Sequence, residues 1–325
     1  MSDGENLSIA VQDGDRRALA RLITRIESTR DEHRSEAEAA LNDLLPITGR
    51  SVRVGISGVP GVGKSSFIET FGLHLIENGH RVAVLAVDPS SPKTGGSILG
   101  DKTRMEQLAR HPDAFIRPSP SGGTMGGIAR RTRETILAVE AAGFDIVLIE
   151  TVGVGQSEYA VADMADMFVL LVAPGGGDDL QGIKKGIVEM ADLLVVTKND
   201  GDLMPAAARA FQDYKSAIHM LGSNGPWMPR VLRTSAHSGN GISDVREAIE
   251  DFTETMRKAG LFDARRADQA AKWMWEEVTT TLLAQIRRQD DSAASLEDDV
   301  RAGRQTPLQA ARAILNRIGT RPDQG

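Results

Sequence analysis

The residues with the clearest chemical potential are those at positions 58–65, which read Gly-Val-Pro-Gly-Val-Gly-Lys-Ser. They fit the pattern G-x-x-x-x-G-K-[ST], in which glycines let backbone N–H groups point inward and a lysine reaches the outer phosphates. An apolar run at 52–57 precedes the pattern and a helical stretch at 66–77 follows it, which is the context it requires. We therefore predict binding of a nucleoside triphosphate, with Lys64 on the phosphates and Ser65 on Mg²⁺.

The predicted phosphate contacts form one continuous segment: Gly58, Val59, Pro60, Gly61, Val62, Gly63, Lys64, Ser65 and Ser66. A dinucleotide-binding turn is the main alternative for such a glycine-rich loop. It requires G-x-G-x-x-G and has no use for a Lys-Ser pair. The triphosphate interpretation is therefore favoured.

A second motif indicates which base is bound. Thr197, Lys198, Asn199 and Asp200 fit [NT]-K-x-D, the pattern with which GTPases recognise guanine. The Asp200 carboxylate can accept from the ring N–H and the exocyclic amine of guanine, whereas adenine has no such pair of donors on that edge. Thr in the first position, where Asn is usual, is expected to brace the loop less firmly. A surface Lys-Asp pair at a strand end is the alternative interpretation.

The end of the next strand supports the guanine assignment. Thr234, Ser235 and Ala236 resemble the Ser-Ala element whose backbone N–H contacts the guanine carbonyl. The two motifs occur in the expected order downstream of the phosphate loop. We predict that Thr197, Lys198, Asp200, Ser235 and Ala236 form the base site.

Glu150 to Gly153 stand where most GTPases carry D-x-x-G. The longer Glu150 side chain is expected to act on magnesium through a water molecule, or on the attacking water, and the N–H of Gly153 is expected to sense the γ-phosphate. Asp88 follows an apolar run at 82–87, which we expect to lie beside the phosphate-loop strand, and its carboxylate should join the metal shell. Capping before Pro89 is the alternative role for Asp88.

A long polar loop at 89–101 suits a segment ordered by the γ-phosphate. Asp101 at its end is a candidate for holding metal or positioning water, although it equally suits an N-cap for the helical stretch 102–110. Ras-like enzymes place Gln after the D-x-x-G glycine, but this chain has Val154 there. We therefore expect slow intrinsic hydrolysis and a partner that supplies the missing group.

The elements that position these residues are predicted by short apolar runs that alternate with helical stretches. The predicted strands are 52–57, 82–87, 144–149, 168–173, 193–197 and 231–234. Runs that are apolar on both faces indicate a mostly parallel sheet covered by helices, and therefore an α/β fold. We predict an N-terminal helical extension at 1–48, a nucleotide-binding domain at 49–258 and a C-terminal helical region at 259–325. A charged break separates the last helices at 289–295.

Composition excludes several classes of function. The 325 residues carry a net charge of −7, which argues against nucleic acid as the main partner. Cysteine is absent from the sequence, so disulfides, thiolate catalysis and Cys-based metal centres are excluded. The first residues do not resemble a signal or transit peptide, and the longest apolar runs are far shorter than the roughly 20 residues that span a bilayer. The sequence favours a cytoplasmic protein without a membrane partner.

With these motifs in place, the chain closely resembles the MeaB/MMAA family, the G proteins associated with adenosylcobalamin-dependent methylmalonyl-CoA mutase, earlier named ArgK-type transport kinases. The resemblance covers almost the whole chain. It rests on the runs GISGVPGVGKS, AVDPSSPKTGGSILGDKTRM, SGGTMGGIARRTRE, IVLIETVGVGQSE, GGGDDLQGIKKGI and the later Trp-Met-Trp at 273–275.

The resemblance implies a GTPase that binds GTP or GDP with Mg²⁺, gates cofactor delivery to an acyl-CoA mutase, protects that mutase, and forms a homodimer through helices beyond the G domain. Carried over by motif, Lys64, Ser65, Asp88, Asp101, Glu150 and Gly153 serve phosphate, magnesium and water, and Asp200 serves guanine. The loop from Gly175 to Lys185 corresponds to a further switch that contacts the mutase, with Asp178, Asp179, Lys184 and Lys185 as candidate contacts. An ordinary glycine loop ahead of a helix is its alternative interpretation.

Three other functions are alternatives to this interpretation. A P-loop kinase would prefer ATP and would usually carry an arginine-rich lid, which the sequence lacks. A metal-delivery accessory GTPase would carry Cys or His clusters, whereas this chain has six scattered His. A binding module with an inactive nucleotide site is disfavoured by the presence of Lys64, Ser65 and Glu150.

Overall fold

The computed structural model describes residues 3–87, 105–118, 125–151, 157–175, 185–222, 225–289 and 291–319. The chain divides into two compact units, Met1–Gln269 and Ala270–Gly325. The first unit contains the whole sheet. Among the described helices, none is both long enough and apolar enough to cross a bilayer.

A single parallel sheet of seven strands forms the centre of the first unit, in the order β3-β2-β4-β1-β5-β6-β7. The strands are β1 Val52–Gly58, β2 Val82–Val87, β3 Ala114–Arg117, β4 Ile146–Thr151, β5 Met167–Val172, β6 Leu193–Val196 and β7 Arg230–Arg233. Every residue of β2, β4, β5 and β6 is buried, because helices cover both faces of the sheet. The predicted α/β class is confirmed.

Helices surround this sheet and extend beyond it. They are α1 Asp3–Gln12, α2 Arg16–Glu27, α3 Asp31–Leu44, α4 Lys64–Glu77, α5 Glu106–Arg110, α6 Met125–Ala141, α7 Ser157–Ala162, α8 Lys185–Met190, α9 Met204–Leu221, α10 Ile242–Lys258, α11 Leu261–Gln289, α12 Asp291–Arg301 and α13 Pro307–Gly319. The N-terminal helices pack on α6, and the Asp15 side chain caps α2 by accepting from the N–H groups of Arg17 and Ala18 at 2.7 and 3.2 Å.

Three features differ from the sequence-based expectation. Strand β3 was not predicted, because four residues ending in Arg117 at a sheet edge give too short an apolar run to stand out. Strand β2 does not lie beside the phosphate-loop strand, since β4 pairs with both β1 and β2 and separates them. The predicted break at 289–295 is too long, because α12 begins at Asp291.

The start of α11 is anchored to the amino edge of the sheet by one arginine. The Arg266 guanidinium donates to both carboxylate oxygens of Asp166, at 2.7 and 2.6 Å, and to the carbonyls of Gly49 and Ser51 at 2.6 and 2.7 Å. Asp166 directly precedes β5, and its side chain is 2% exposed. Burial opposes the charge on Arg266, but the bonds to Asp166 outweigh it and raise the pKa of the guanidinium. This bidentate pair fixes the beginning of α11 on the first unit.

Replacing Arg266 with Ala is expected to lower the free energy of unfolding by about 3 kcal/mol, because it leaves the buried Asp166 carboxylate without its charge partner. In thermal unfolding this corresponds to a drop of roughly 6–12 °C for a domain of this size. Arg265→Ala is the matched control, since Arg265 lies 3.7 Å from Asp192 and is 32% exposed. Equal shifts in the two variants would contradict the special role of the Arg266 pair.

Candidate nucleotide-binding site

The phosphate loop joins β1 to α4 in the conformation that its glycines permit. Gly61 and Gly63 have φ values of 79° and 99°, in the left-handed region that residues with a side chain rarely adopt. Gly58 is required for a different reason, since a Cβ atom there would lie 2.6 Å from the carbonyl oxygen of Leu171. The loop ends at the first turn of α4, where backbone N–H groups without helical partners offer an anion site.

Lys64 folds back onto this loop. Its Nζ donates to the carbonyl oxygens of Gly58 and Val59, at 2.6 and 3.4 Å. Burial lowers the pKa of the ammonium group, while the charges of Glu150 and Glu158 oppose that effect. The positive charge of Lys64 therefore lies at the phosphate loop, where it interacts electrostatically with two carboxylates.

Glu150 reaches the same region from β4. It lies in register with Ile56 on β1 and Ala86 on β2, and only 3% of it is exposed. The hydroxyls of its neighbour Thr151 and of Ser57 are 3.0 Å apart, which ties the carboxyl end of β4 to the strand that enters the phosphate loop. A buried carboxylate at this position can influence a metal ion or a water molecule beside the phosphates.

The guanine motif is bonded to the phosphate loop. Thr197 donates through its hydroxyl to the carbonyl of Val62 at 2.7 Å, and Lys198 Nζ donates to the carbonyl of Gly61 at 2.8 Å. The threonine hydroxyl thus braces the loop directly, and the expectation that it does so less firmly than Asn stays a prediction. Lys198 has φ 54°, the one positive value outside glycine in the described part of the chain. Such a conformation is a mark of a constrained functional turn.

The second base element, at residues 234–236, is hydrogen-bonded to the first, at residues 197–200. Ser235 Oγ donates to a carboxylate oxygen of Asp200, and the Asn199 N–H donates to the carbonyl of Thr234 at 2.9 Å. The carbonyl of Ala236 accepts from Thr70 of α4 at 3.0 Å. These bonds orient the Asp200 carboxylate and bring the end of β6, the loop after β7 and α4 around one space.

Several predicted site residues lie outside the described residues: Asp88, Asp101, Gly153, Asp178, Asp179 and Lys184. Lys185 is the first residue of α8, and its side chain is likewise outside the description. Arg130 could supply a catalytic charge in cis, but it lies 3.7 Å from Glu134 on its own helix, which favours a helix-surface role. No group of three or more His, Asp or Glu side chains within the described ranges is arranged to hold a metal ion.

One residue near Lys64 was missed by sequence reasoning. Glu158, in the first turn of α7, is 3% exposed and interacts electrostatically with the Lys64 ammonium group. The only signal in the sequence was a carboxylate within a short stretch otherwise dominated by small and apolar residues. That signal does not reveal which direction the side chain faces.

Comparison with known proteins agrees with this geometry. The family model described as "Methylmalonyl Co-A mutase-associated GTPase MeaB" matches residues 19–291. A "Probable GTPase" of Mycobacterium tuberculosis is 53% identical over 315 residues, covering 96% of this chain and 94% of that protein. The "Methylmalonic aciduria type A homolog, mitochondrial" of Mus musculus is 47% identical over 322 residues, covering 95% of this chain and 78% of that protein.

A solved structure shares both fold and sequence with this chain. The "Crystal structure of LAO/AO transport system kinase" aligns with a TM-score of 0.79 and 36% identity, covering 98% of this chain and 99% of that one. The family match extends from α2 to the start of α12 and includes the phosphate loop and both base elements. The chain therefore belongs to the MeaB family of methylmalonyl-CoA mutase-associated GTPases, and it binds guanine nucleotide and hydrolyses GTP.

Proposed function

We propose that this GTPase acts as a switch and chaperone for an adenosylcobalamin-dependent acyl-CoA mutase, gating cofactor delivery and protecting the mutase from inactivation. The observation that carries the proposal is the link between the base motif and the phosphate loop, through Lys198 and Gly61, within a chain of the MeaB family. Because the phosphate loop is hydrogen-bonded to the base site, nucleotide binding can change the conformation of both, and a partner protein that contacts them can sense that change. The name of the family supplies the class of partner.

The proposed roles of the described residues follow from their positions. Residues 58–66 surround the phosphates, Lys64 faces the outer phosphates, and Asp200 pairs with guanine while Ser235 orients it. Ala236 offers its backbone N–H to the guanine carbonyl. Asp88, Asp101 and Gly153 lie outside the described residues, and we assign them to the γ-phosphate side of the site by motif alone.

Magnesium fits the residues present. Ser65 directly follows Lys64 in the first turn of α4, and Glu150 places a buried carboxylate beside the same lysine. Mg²⁺ in phosphate sites is held by one or two protein oxygens together with phosphate oxygens and water. The ion supplies positive charge that offsets the charge on the transferred phosphoryl group. Ser65 would hold it directly, and Glu150 would act through water.

Partner dependence is the second part of the proposal. Val154 occupies the place where Ras-like enzymes carry their water-orienting Gln, so the intrinsic rate should be slow. Asp178, Asp179, Lys184 and Lys185 are the proposed contacts with the mutase. Self-association through the C-terminal helices is proposed on separate grounds, because α11 exposes Trp275, Val278 and Leu282 at a helical spacing of three and four.

The proposed function predicts that a purified cobalamin-dependent acyl-CoA mutase raises the rate of GTP turnover. The expected increase is about tenfold or more, and the upper range for a catalytic group supplied by a partner is about 10³–10⁵. The measurement is phosphate release from GTP with and without methylmalonyl-CoA mutase and isobutyryl-CoA mutase. ATP is assayed in parallel as the competing substrate.

Two controls define this test. Lys64→Ala should abolish the response to the mutase, and an unrelated CoA-binding protein should give no stimulation. If ATP proved the better substrate, a kinase role would replace the proposal. If none of the mutases changed GTP turnover, the proposed client class would be wrong while the GTPase activity would stand.

A further inference from the structure

One buried hydroxyl at the base site has no hydrogen-bond partner in the part of the chain that the structure describes. It belongs to Thr234, which directly follows β7 and is 1% exposed. The backbone of this residue is fully bonded, because its N–H donates to the carbonyl of Val196 at 2.8 Å and its carbonyl accepts from the N–H of Asn199 at 2.9 Å. The large majority of buried side-chain hydroxyls in proteins have a partner. The unpaired Thr234 hydroxyl therefore calls for a physical explanation.

Thr234 lies opposite Thr197, the first residue of the guanine motif. Strands β6 and β7 are parallel and end with Val196 paired to Arg233, so the next pair along the ladder is Thr197 and Thr234. Neighbouring strands are about 5 Å apart. The residues two places earlier in each strand both pack into the core that contains Val62, and the alternation of side chains puts the two threonines on that same face. Their side chains are therefore neighbours on one face of the sheet.

Thr197 uses its hydroxyl elsewhere. The hydroxyl donates to the carbonyl of Val62 in the phosphate loop at 2.7 Å, and the carbonyl of Val172 is a second acceptor at 3.3 Å. A threonine hydroxyl carries a single hydrogen, so these contacts use all that Thr197 can donate. Thr197 also accepts no bond from Thr234, since the Thr234 hydroxyl is unpaired among the described residues. The Thr197 side chain thus bonds to the phosphate loop but not to the loop after β7.

An asparagine at position 197, the usual residue in this motif, would have a larger bonding capacity. Its side chain offers two N–H donors and one carbonyl acceptor. An amide N–H can replace the bond to Val62, while the amide oxygen can accept from the Thr234 hydroxyl on the neighbouring strand. Threonine supplies the first of these bonds and not the second. The junction between the two base elements therefore lacks one side-chain hydrogen bond that the motif allows.

We propose that Thr197 is a positioning residue that shortens the residence time of guanine nucleotide, because it leaves Thr234 unpaired and holds the two base elements together less firmly. The inference rests on the proposed base site, in which Asp200 and the loop after β7 contact guanine from the two elements. Release of the nucleotide requires these elements to part. Each bond between them slows that step, and affinity differences of this kind appear mainly in the dissociation rate.

The test measures the dissociation of GDP from Thr197→Asn. Fluorescent GDP is bound to the full chain in excess Mg²⁺ and is then displaced by unlabelled GDP. The variant is expected to release GDP about tenfold more slowly than wild type, because one buried hydrogen bond is gained and one buried hydroxyl is satisfied. The association rate should change little, so the Kd for GDP should fall by about the same factor.

A double-mutant cycle identifies the partner of the new amide. Thr234→Val removes the hydroxyl and keeps the branched shape of the side chain. Thr197→Asn should slow GDP release about tenfold when Thr234 is present and less than about twofold in the Thr234→Val background. Thr253→Val is the matched control, because Thr253 is a buried threonine whose hydroxyl donates to the carbonyl of Ile249 within α10 at 2.8 Å. In that background the full effect of Thr197→Asn should persist.

Two results would overturn the inference. One is a GDP dissociation rate of Thr197→Asn within about twofold of the wild-type rate. The other is an equal slowing with and without the Thr234 hydroxyl, because the amide would then act through another group. Thermal unfolding of each variant is measured in parallel. If Thr197→Asn does not fold, Thr197→Val takes its place: loss of the Val62 bond should speed GDP release severalfold, and an unchanged rate would equally overturn the inference.

Asp200→Asn distinguishes failure of this inference from failure of the proposed base site. If Asp200→Asn loses the preference for guanine nucleotide while Thr197→Asn releases GDP as wild type does, only the role of Thr197 is wrong. If Asp200→Asn keeps that preference, the base site and the inference built on it both fail. Neither measurement contains a mutase, so an error in the proposed client would leave both results unchanged.

Discussion

Asp200→Asn is expected to lower kcat/KM for GTP by roughly 100-fold and to shift preference toward xanthosine triphosphate. In the proposed base site the carboxylate would accept from two N–H groups of guanine, and charged hydrogen bonds of this kind contribute about 1.5–3 kcal/mol each. An asparagine amide would present one donor to a donor on guanine. Xanthine carries an oxygen in place of the exocyclic amine, so it can accept from that amide.

The structure explains why the effect should be large. Ser235 donates to one carboxylate oxygen of Asp200 and so fixes that side chain relative to the loop after β7. The backbone around it is fixed by the Asn199 to Thr234 bond of 2.9 Å, so the loop cannot readily adjust to a different amide orientation. A site built around specific donors discriminates strongly against partners that lack them.

The measurement is steady-state hydrolysis of GTP and xanthosine triphosphate by wild type and variant. Asp202→Asn is the matched control, because Asp202 is an exposed carboxylate two residues further along, in the short turn Gly201–Leu203. The control should retain the wild-type preference. An unchanged ratio of the two substrates in Asp200→Asn would remove Asp200 from the base site.

Lys64→Ala is expected to reduce kcat for GTP by about 10²–10³ and to weaken GTP binding as well. The ammonium group bonds to the carbonyls of Gly58 and Val59, within reach of the anion site. When phosphates occupy the loop, the charge can stabilise the developing negative charge of the transition state. Losing one such preorganised donor typically costs about 10²–10³ in rate.

A second effect adds to the loss in Lys64→Ala. Glu150 and Glu158 both interact electrostatically with the Lys64 charge, and without it these two buried carboxylates lose that compensation. Removing one partner from such a cluster leaves uncompensated charge in a poorly solvated place. The weaker binding should therefore be more pronounced in chelator than in excess Mg²⁺.

Phosphate release and titration with fluorescent GDP measure both effects. Lys258→Ala is a suitable control, because that lysine is 73% exposed at the end of α10 and pairs with Glu254 on the same helix. A kcat/KM for Lys64→Ala within threefold of wild type would contradict the assignment of the loop. Thermal unfolding curves of both variants test whether either substitution lowers activity by destabilising the fold.

The two nucleotide motifs show how far contiguous residues can predict a site. Gly61 and Gly63 have positive φ values, and α4 begins at Lys64, two residues before the helical stretch predicted at 66–77. Thr197 to Asp200 directly follow β6. Both predictions rest on local backbone chemistry, in which glycine supplies positive φ and a strand end supplies an exposed loop.

Other features could not be read from local pattern. The order of strands placed β4 between β1 and β2, so the sequence-based expectation of a direct β1–β2 pair was wrong. The edge strand β3 was missed, and the role of Arg266 had no recognisable spacing. Each depends on residues from distant parts of the chain meeting across helices.

The sequence alone therefore determined the chemistry of this protein: a triphosphate loop, a guanine motif, a parallel α/β sheet and membership of a GTPase family. These follow from residues whose requirements are met by their immediate neighbours. The tertiary structure alone decided that Lys198 bonds to Gly61 and that Arg266 anchors α11 to Asp166. The partners in these pairs are 137 and 100 residues apart, so their meeting is set by helix crossovers and packing and not by any local pattern.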